Sequence, residues 1–133
     1  MAEILQNPVP EIFGRFKNKL VSSGVIADEL ISFGNSDVGA MLPWVAFKPM
    51  TNYSYIQCLD LANNENATLV NIQIECYAKN ESGAMTLEDE CKQAMFEMGF
   101  YSSGFNQRFK NNNVHRYISR YALIYTGELA DLS

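Results

Sequence analysis

Between residues 8 and 21, Val9, Ile12, Phe13, Phe16 and Leu20 recur at steps of three and four, which puts them on one face of a helix. Asn7 can cap that helix with Pro8 at its first position, or the start can slip to Pro10, and Gly24 stands where a helix commonly ends. The opposite face carries Arg15, Lys17 and Lys19 and reads as solvated. From 25 to 42 the period is lost. Gly34, Asn35, Gly39 and then Pro43 punctuate too often for a regular element, so a loop with one short turn of helix is expected. Residues 44–47 predict a brief apolar strand stopped by Pro49, since proline cannot donate to a ladder. Residues 53–61 form a strand arm or an ordered loop, followed by a turn at 63–66.

The clearest strand covers 68–78: Val70, Ile72, Ile74 and Cys76 alternate with Asn71, Gln73 and Glu75, so one side is buried and the other wet or partnered. Ser82 or Thr86 can cap a second helix with Leu87, Cys91, Ala94, Met95 and Met98 in one stripe. Glu88, Asp89 and Glu90 then fall in its early turns, and Gly99 ends it. Strands at 100–109 and 114–126, joined by a turn at 110–113, complete a hairpin. The order predicts a single α+β domain over 1–133, an antiparallel or mixed sheet of about four to five strands with two helices on one face. Residues 127–133 are expected to be a flexible acidic tail. In the last strand Val114, Ile118, Ala122 and Ile124 alternate with Tyr117, Tyr121, Leu123 and Tyr125. Both faces are then substantially apolar, and cover from another chain is the expectation.

Composition narrows the function. The 133 residues match the usual size of one domain, and 19% charged with 12% aromatic residues is unlike a disordered chain. A net charge of −5 argues against a dedicated nucleic-acid binder, which needs a basic footprint. No apolar run approaches the ~18 residues of a membrane helix, and MAEILQNPVPEI lacks the basic start and apolar stretch of a secretory signal. A soluble protein that works where it is made is expected, with no membrane partner. Cys58, Cys76 and Cys91 have no close spacing and read as small buried hydrophobes in a reducing compartment.

Catalytic chemistry finds little foothold. The sole histidine, His115, lies beside a turn and reads as a surface or edge residue. Acidic neighbours of the cysteines disfavour thiolates, and one His with three scattered Cys does not make a zinc site. Consecutive carboxylates at 88–90 cannot converge on one atom, and no phosphate-cradling loop is present. No enzyme activity, metal or cofactor is expected. What remains is Arg108, Lys110 and Asn111 at the hairpin tip, then Arg116 and Arg120 at alternating positions of a strand, with Tyr117 and Tyr121 beside them. Stacking on nucleic acid is one reading, but arginines sharing a face with Ile118 and Ala122 fit better as contacts to acidic groups of a neighbouring subunit. Tyr53 and Tyr55, in the polar stretch 51–67, join them as interface candidates.

The layout, with VNIQIECYAKNESG, then MTLEDECKQAMFEMGF, then RFKNNNVHRYISRYALIY, resembles the tail terminator (tail completion) proteins of long-tailed bacteriophages over roughly 8–125. The resemblance lies in the order of elements, a Ser-Gly helix start, a Met-Gly-Phe close and a last strand of the form Arg-Tyr-x-x-Arg-Tyr. It implies a homo-oligomeric ring, usually of six copies, that ends tail-tube polymerisation and presents a surface to the head-neck connector. Partners would be tube protein, connector and, in contractile tails, sheath protein, while DNA passes through without specific binding. The location would be the head-proximal end of the virion tail, after assembly in the bacterial cytoplasm. Stretch 51–67 and the hairpin tip would project toward tube or connector. A head-tail connector or adaptor is the nearest alternative. A small cytoplasmic module, holding a ligand between sheet and helices with Trp44 and the tyrosines as lining, is the alternative from another class.

Overall fold

The computed structural model describes residues 8–34, 42–50, 53–54 and 68–125, with backbone alone for Tyr53, Ser54, Thr68 and Phe105. Along the chain run helix α1 (Val9–Ser23), a 3₁₀ turn (Asp28–Leu30), strands β1 (Ile31–Phe33), β2 (Trp44–Pro49), β3 (Tyr53–Ser54) and β4 (Thr68–Ala78), helix α2 (Glu81–Glu97), and strands β5 (Tyr101–Asn111) and β6 (Val114–Tyr125). The strands form one sheet in the order β1-β2-β4-β6-β5, with β3 beside the start of β4. β1 is parallel to β2 and every other pairing is antiparallel. The α+β class is as expected, with six strands where four to five were predicted. The 3₁₀ turn is the short helical turn foreseen in 25–42. β1, in the same stretch, is too short for its alternation to be seen in the sequence.

α1 buries Val9, Ile12, Phe16 and Leu20, the stripe set by its spacing. Pro8 occupies the cap position without a side-chain bond, and Asn7 lies outside the described residues. α2 starts earlier than either predicted cap allows. Its cap is Asn80, whose Oδ1 accepts the Gly83 N–H at 2.7 Å. The fit is close, because a Cβ at Gly83 would stand 2.9 Å from that oxygen. Asn80→Ala is expected to lower stability by about 1 kcal/mol, measurable by urea unfolding; an unchanged midpoint would mean that the cap contributes nothing. With the helix beginning at Glu81, the carboxylates at 88–90 lie in its middle and not in its early turns, which corrects the sequence reading.

Register shows which residues share each sheet face. Ile31, Val45, Phe47, Val70, Ile72, Ile74, Cys76, Tyr117 and Tyr121 point toward the helices and join the apolar residues of α1 and α2 in one core. α1 lies over the β1–β2 edge. There Phe13 meets Phe33 and Phe47 at ring distances of 5.0 and 5.2 Å, and Phe16 meets Phe47 at 5.2 Å. α2 lies over β4 and β6, where Cys91 meets Cys76 with 3.6 Å between sulfurs, both buried as expected. Burial raises the Cys91 thiol well above its ordinary pKa. Cys58 lies outside the described residues. The basic face of α1 is tied by surface ion pairs, each 3.1 Å long: Arg15–Glu11, Lys17–Asp28 and Lys19–Glu97. Among the described residues no helix is long and apolar enough to cross a membrane.

The last strand needs a correction. Tyr117 and Tyr121 face the helices and are 4% and 2% exposed, so the fold itself covers that side. On the other face Ile118 and Ala122 are 5% and 3% exposed within the single chain, and of the apolar side chains on β6 only Ile124 is substantially exposed. The strand therefore does not depend on another chain to shield its two faces.

Candidate functional site

The face of the sheet away from the helices is organised around a carboxylate. Alternation sends Gln73, Glu75 and Tyr77 of β4 to that side, and register sets Ala46 and Ile118 on either side of Glu75. Glu75 is fully buried there. Its Oε2 lies 2.7 Å from Lys48 Nζ and accepts from Gln73 Nε2 at 2.8 Å. Its Oε1 accepts from Tyr77 Oη at 2.6 Å and from Arg116 Nε and Nη2 at 3.1 and 2.8 Å. The network extends one residue further, because Gln73 Oε1 accepts from Arg120 Nε at 2.9 Å. Burial pushes the Glu75 pKa up, but the bonds from Lys48, Tyr77, Arg116 and Gln73 together outweigh it and hold the carboxyl at about 2. Burial and the adjoining carboxylate raise the Tyr77 hydroxyl to about 12. Glu75 thus stays ionised and Tyr77 protonated at neutral pH, and the network forms a charged platform on this face of the sheet.

The hairpin borders this platform. Asn112 and Asn113 close it with φ of 50° and 66°, the left-handed conformation that asparagine tolerates and a two-residue turn requires. Phe109 lies on the platform side of β5, with the Arg116 guanidinium 5.8 Å from its ring. Together with Tyr77, Lys110, Asn111 and Asn112 they line a cleft of about 530 Å³. Further along, Ser102 pairs with Tyr121 and Asn106 with Ser119, so residues 103–105 bulge opposite Arg120 alone. Gly104 turns the bulge with φ +89°, and Ser103 Oγ donates to the Arg120 carbonyl at 3.2 Å. On the helix side, the bulge borders a polar cavity of about 220 Å³ lined by Glu88, Arg108, Ser119 and Tyr121, among others. Glu88 Oε1 accepts from Arg108 Nη2 at 3.0 Å, and its buried Oε2 has no hydrogen-bond partner among the described residues.

The candidates singled out in the sequence thus separate. Arg116 and Arg120 meet on the platform, bound to Glu75 and Gln73 of their own chain. Arg108 sits on the helix side, 4.6 Å from the Tyr117 ring and paired with Glu88. Lys110 and Asn111 are exposed at the tip. Tyr117 and Tyr121 belong to the core, which corrects their place as surface contacts. Tyr53 pairs through its backbone with Leu69, and Tyr55 lies outside the described residues. Glu75, Lys48, Tyr77 and Glu88 were missed. The alternation of Gln73 and Glu75 was visible, but only sheet register could reveal that Lys48 and Arg116 flank the same carboxylate. Among the described residues no group of three or more His, Cys, Asp or Glu could hold a metal ion.

The class these features define is a helix-layered α+β sheet protein with a charged platform and a long exposed hairpin. No family model matches the chain, and no curated protein matches it.

Proposed function

We propose that this chain is a structural subunit of a phage tail, forming a closed ring that caps the tail tube, ends its polymerisation and offers its other side to the head-neck connector. What supports the reading from the fold is the order helix, strands, helix, hairpin, on which the resemblance rests. The observation that carries the reading is the β5 edge. β5 ends the strand order, runs eleven residues, and is exposed at every position whose side chain is described. Such an edge invites pairing, and the bulge with Arg108 and Lys110 restricts what can pair with it. A subunit that meets defined neighbours has use for that combination. Copies of the chain, tube protein, connector and sheath protein are the partners in this reading, with DNA passing through unbound.

Light scattering with negative-stain imaging tests it. The purified chain should form rings, alone or on meeting tube protein, and should halt tube growth. A chain that stays monomeric and leaves growth unaffected removes the reading. The small polar cavity beside the bulge favours the ligand-binding module in that event.

A further inference from the structure

The two sides of this molecule differ in chemistry in a way that makes them complementary. On the platform side, Lys48 and Arg116 share one carboxylate, that of Glu75, which leaves a formal positive charge at the centre. Exposed aromatics stand at the margin: Tyr101 is 50% exposed and Phe109 46%. Both belong to this face by register, Tyr101 opposite Ala122 and Phe109 opposite Arg116. On the opposite side, the outer surface of α2 carries Glu81, Met85 and Asp89 at four-residue steps, then Lys92, whose Nζ stands 5.5 Å over the ring of Phe96, so the acidic part of this surface is its N-terminal half. Met85 and Phe96 are 42% and 45% exposed.

The geometry points to a head-to-tail contact in which the platform of one copy receives the acidic, Met/Phe-bearing outer surface of α2 from the next. This deepens the ring reading and rests on it. Charge complementarity selects the occupant, a second copy of this chain, because the cationic face and the anionic face are parts of one sequence on opposite sides of one sheet. Arginine, aromatic and methionine side chains are also those enriched where proteins meet. The size is adequate. β2, β4, β6 and β5, about 4.8 Å apart and rising about 3.3 Å per residue, span on the order of 600 Å², against the roughly 800 Å² per partner of a standard contact. Because two different patches meet, the contact is heterologous and can close only as a ring or continue as a filament.

The Glu75 network suits such a surface. Had the cations been unanchored, each would have to be ordered when the contact forms, whereas bonds to a buried carboxylate fix Lys48 and Arg116 beforehand.

The experiment uses two variants of the whole chain, each altered only at exposed positions: Glu81→Lys with Asp89→Lys on α2, and Tyr101→Ser with Phe109→Ser on the platform. Unchanged circular dichroism and melting establish that each folds; should either double variant melt early, Asp89→Lys alone or Phe109→Ser alone replaces it. Under conditions where the wild type assembles, each variant should be monomeric by light scattering, with association weakened at least tenfold. Their equimolar mixture should give dimers and nothing larger, since each supplies the one intact patch that the other lacks. Rings that persist in both variants, or a mixture that stays monomeric, overturn this contact while leaving the ring reading standing. A wild type that never associates, even with tube protein, removes both. Retention of a thymidine oligonucleotide by the wild type and its loss in the platform variant would assign the face to nucleic acid and overturn the proposal.

Discussion

Replacing Glu75 with alanine is expected to destabilise the fold by about 3–5 kcal/mol, because it strands cations whose anchor is a buried carboxylate. Lys48 and Arg116 keep 25% and 40% of their side chains exposed and can turn partly to water, which favours the lower end of that range. The same group sets an acid sensitivity. Its carboxyl is held at about 2 in the folded chain against an ordinary 4.5, so its contribution is complete above pH 4.5 and is lost as pH falls toward 2. A shift of this size corresponds to about 3 kcal/mol, or roughly 2 after allowance for solvent around the partly exposed cations. Melting curves from pH 2 to 7 check both points. The wild type should lose stability below pH 4.5 more steeply than Glu75→Ala, and coincident pH profiles would show that the network contributes no stability.

Tyr121→Ala is expected to cost about 3–5 kcal/mol, as for other large aromatic truncations in a core. Tyr121 is 2% exposed, and its ring meets Phe96 of α2 edge-on at 6.3 Å. Tyr121→Phe keeps the ring and removes only the hydroxyl, which accepts from Ser119 Oγ at 3.2 Å, so a loss of about 1 kcal/mol is expected. Denaturant unfolding of the isolated chain separates the two roles considered for this residue. A Tyr121→Ala chain that folds as the wild type but fails to assemble would restore it to a surface contact.

The stretches that could be read from the sequence are those with a sustained period. The α1 stripe, the alternation of β4 and the asparagine turn before β6 follow from side-chain direction along a helix or strand and from the left-handed tolerance of asparagine. β1 could not be read, because three residues carry no measurable alternation. The start of α2 was displaced because serine, threonine and asparagine all cap well, and only the chain's path chose Asn80. Among the candidate residues, Arg116 and Arg120 were correctly found on one face, while Tyr117 and Tyr121 were assigned outward because a strand with two apolar faces does not say which one the helices cover.

By itself, then, the sequence determined the local elements, their order and the acidic balance of the chain, since these depend on neighbours a few residues apart. The tertiary structure alone decided that Lys48, Glu75 and Arg116 converge. Those residues lie 27 and 41 positions apart and meet only through the register of β2, β4 and β6. It also decided that Arg116 serves a carboxylate and Arg120 an amide of their own chain, because burial of Glu75 demands counter-charge from whatever strands lie beside it.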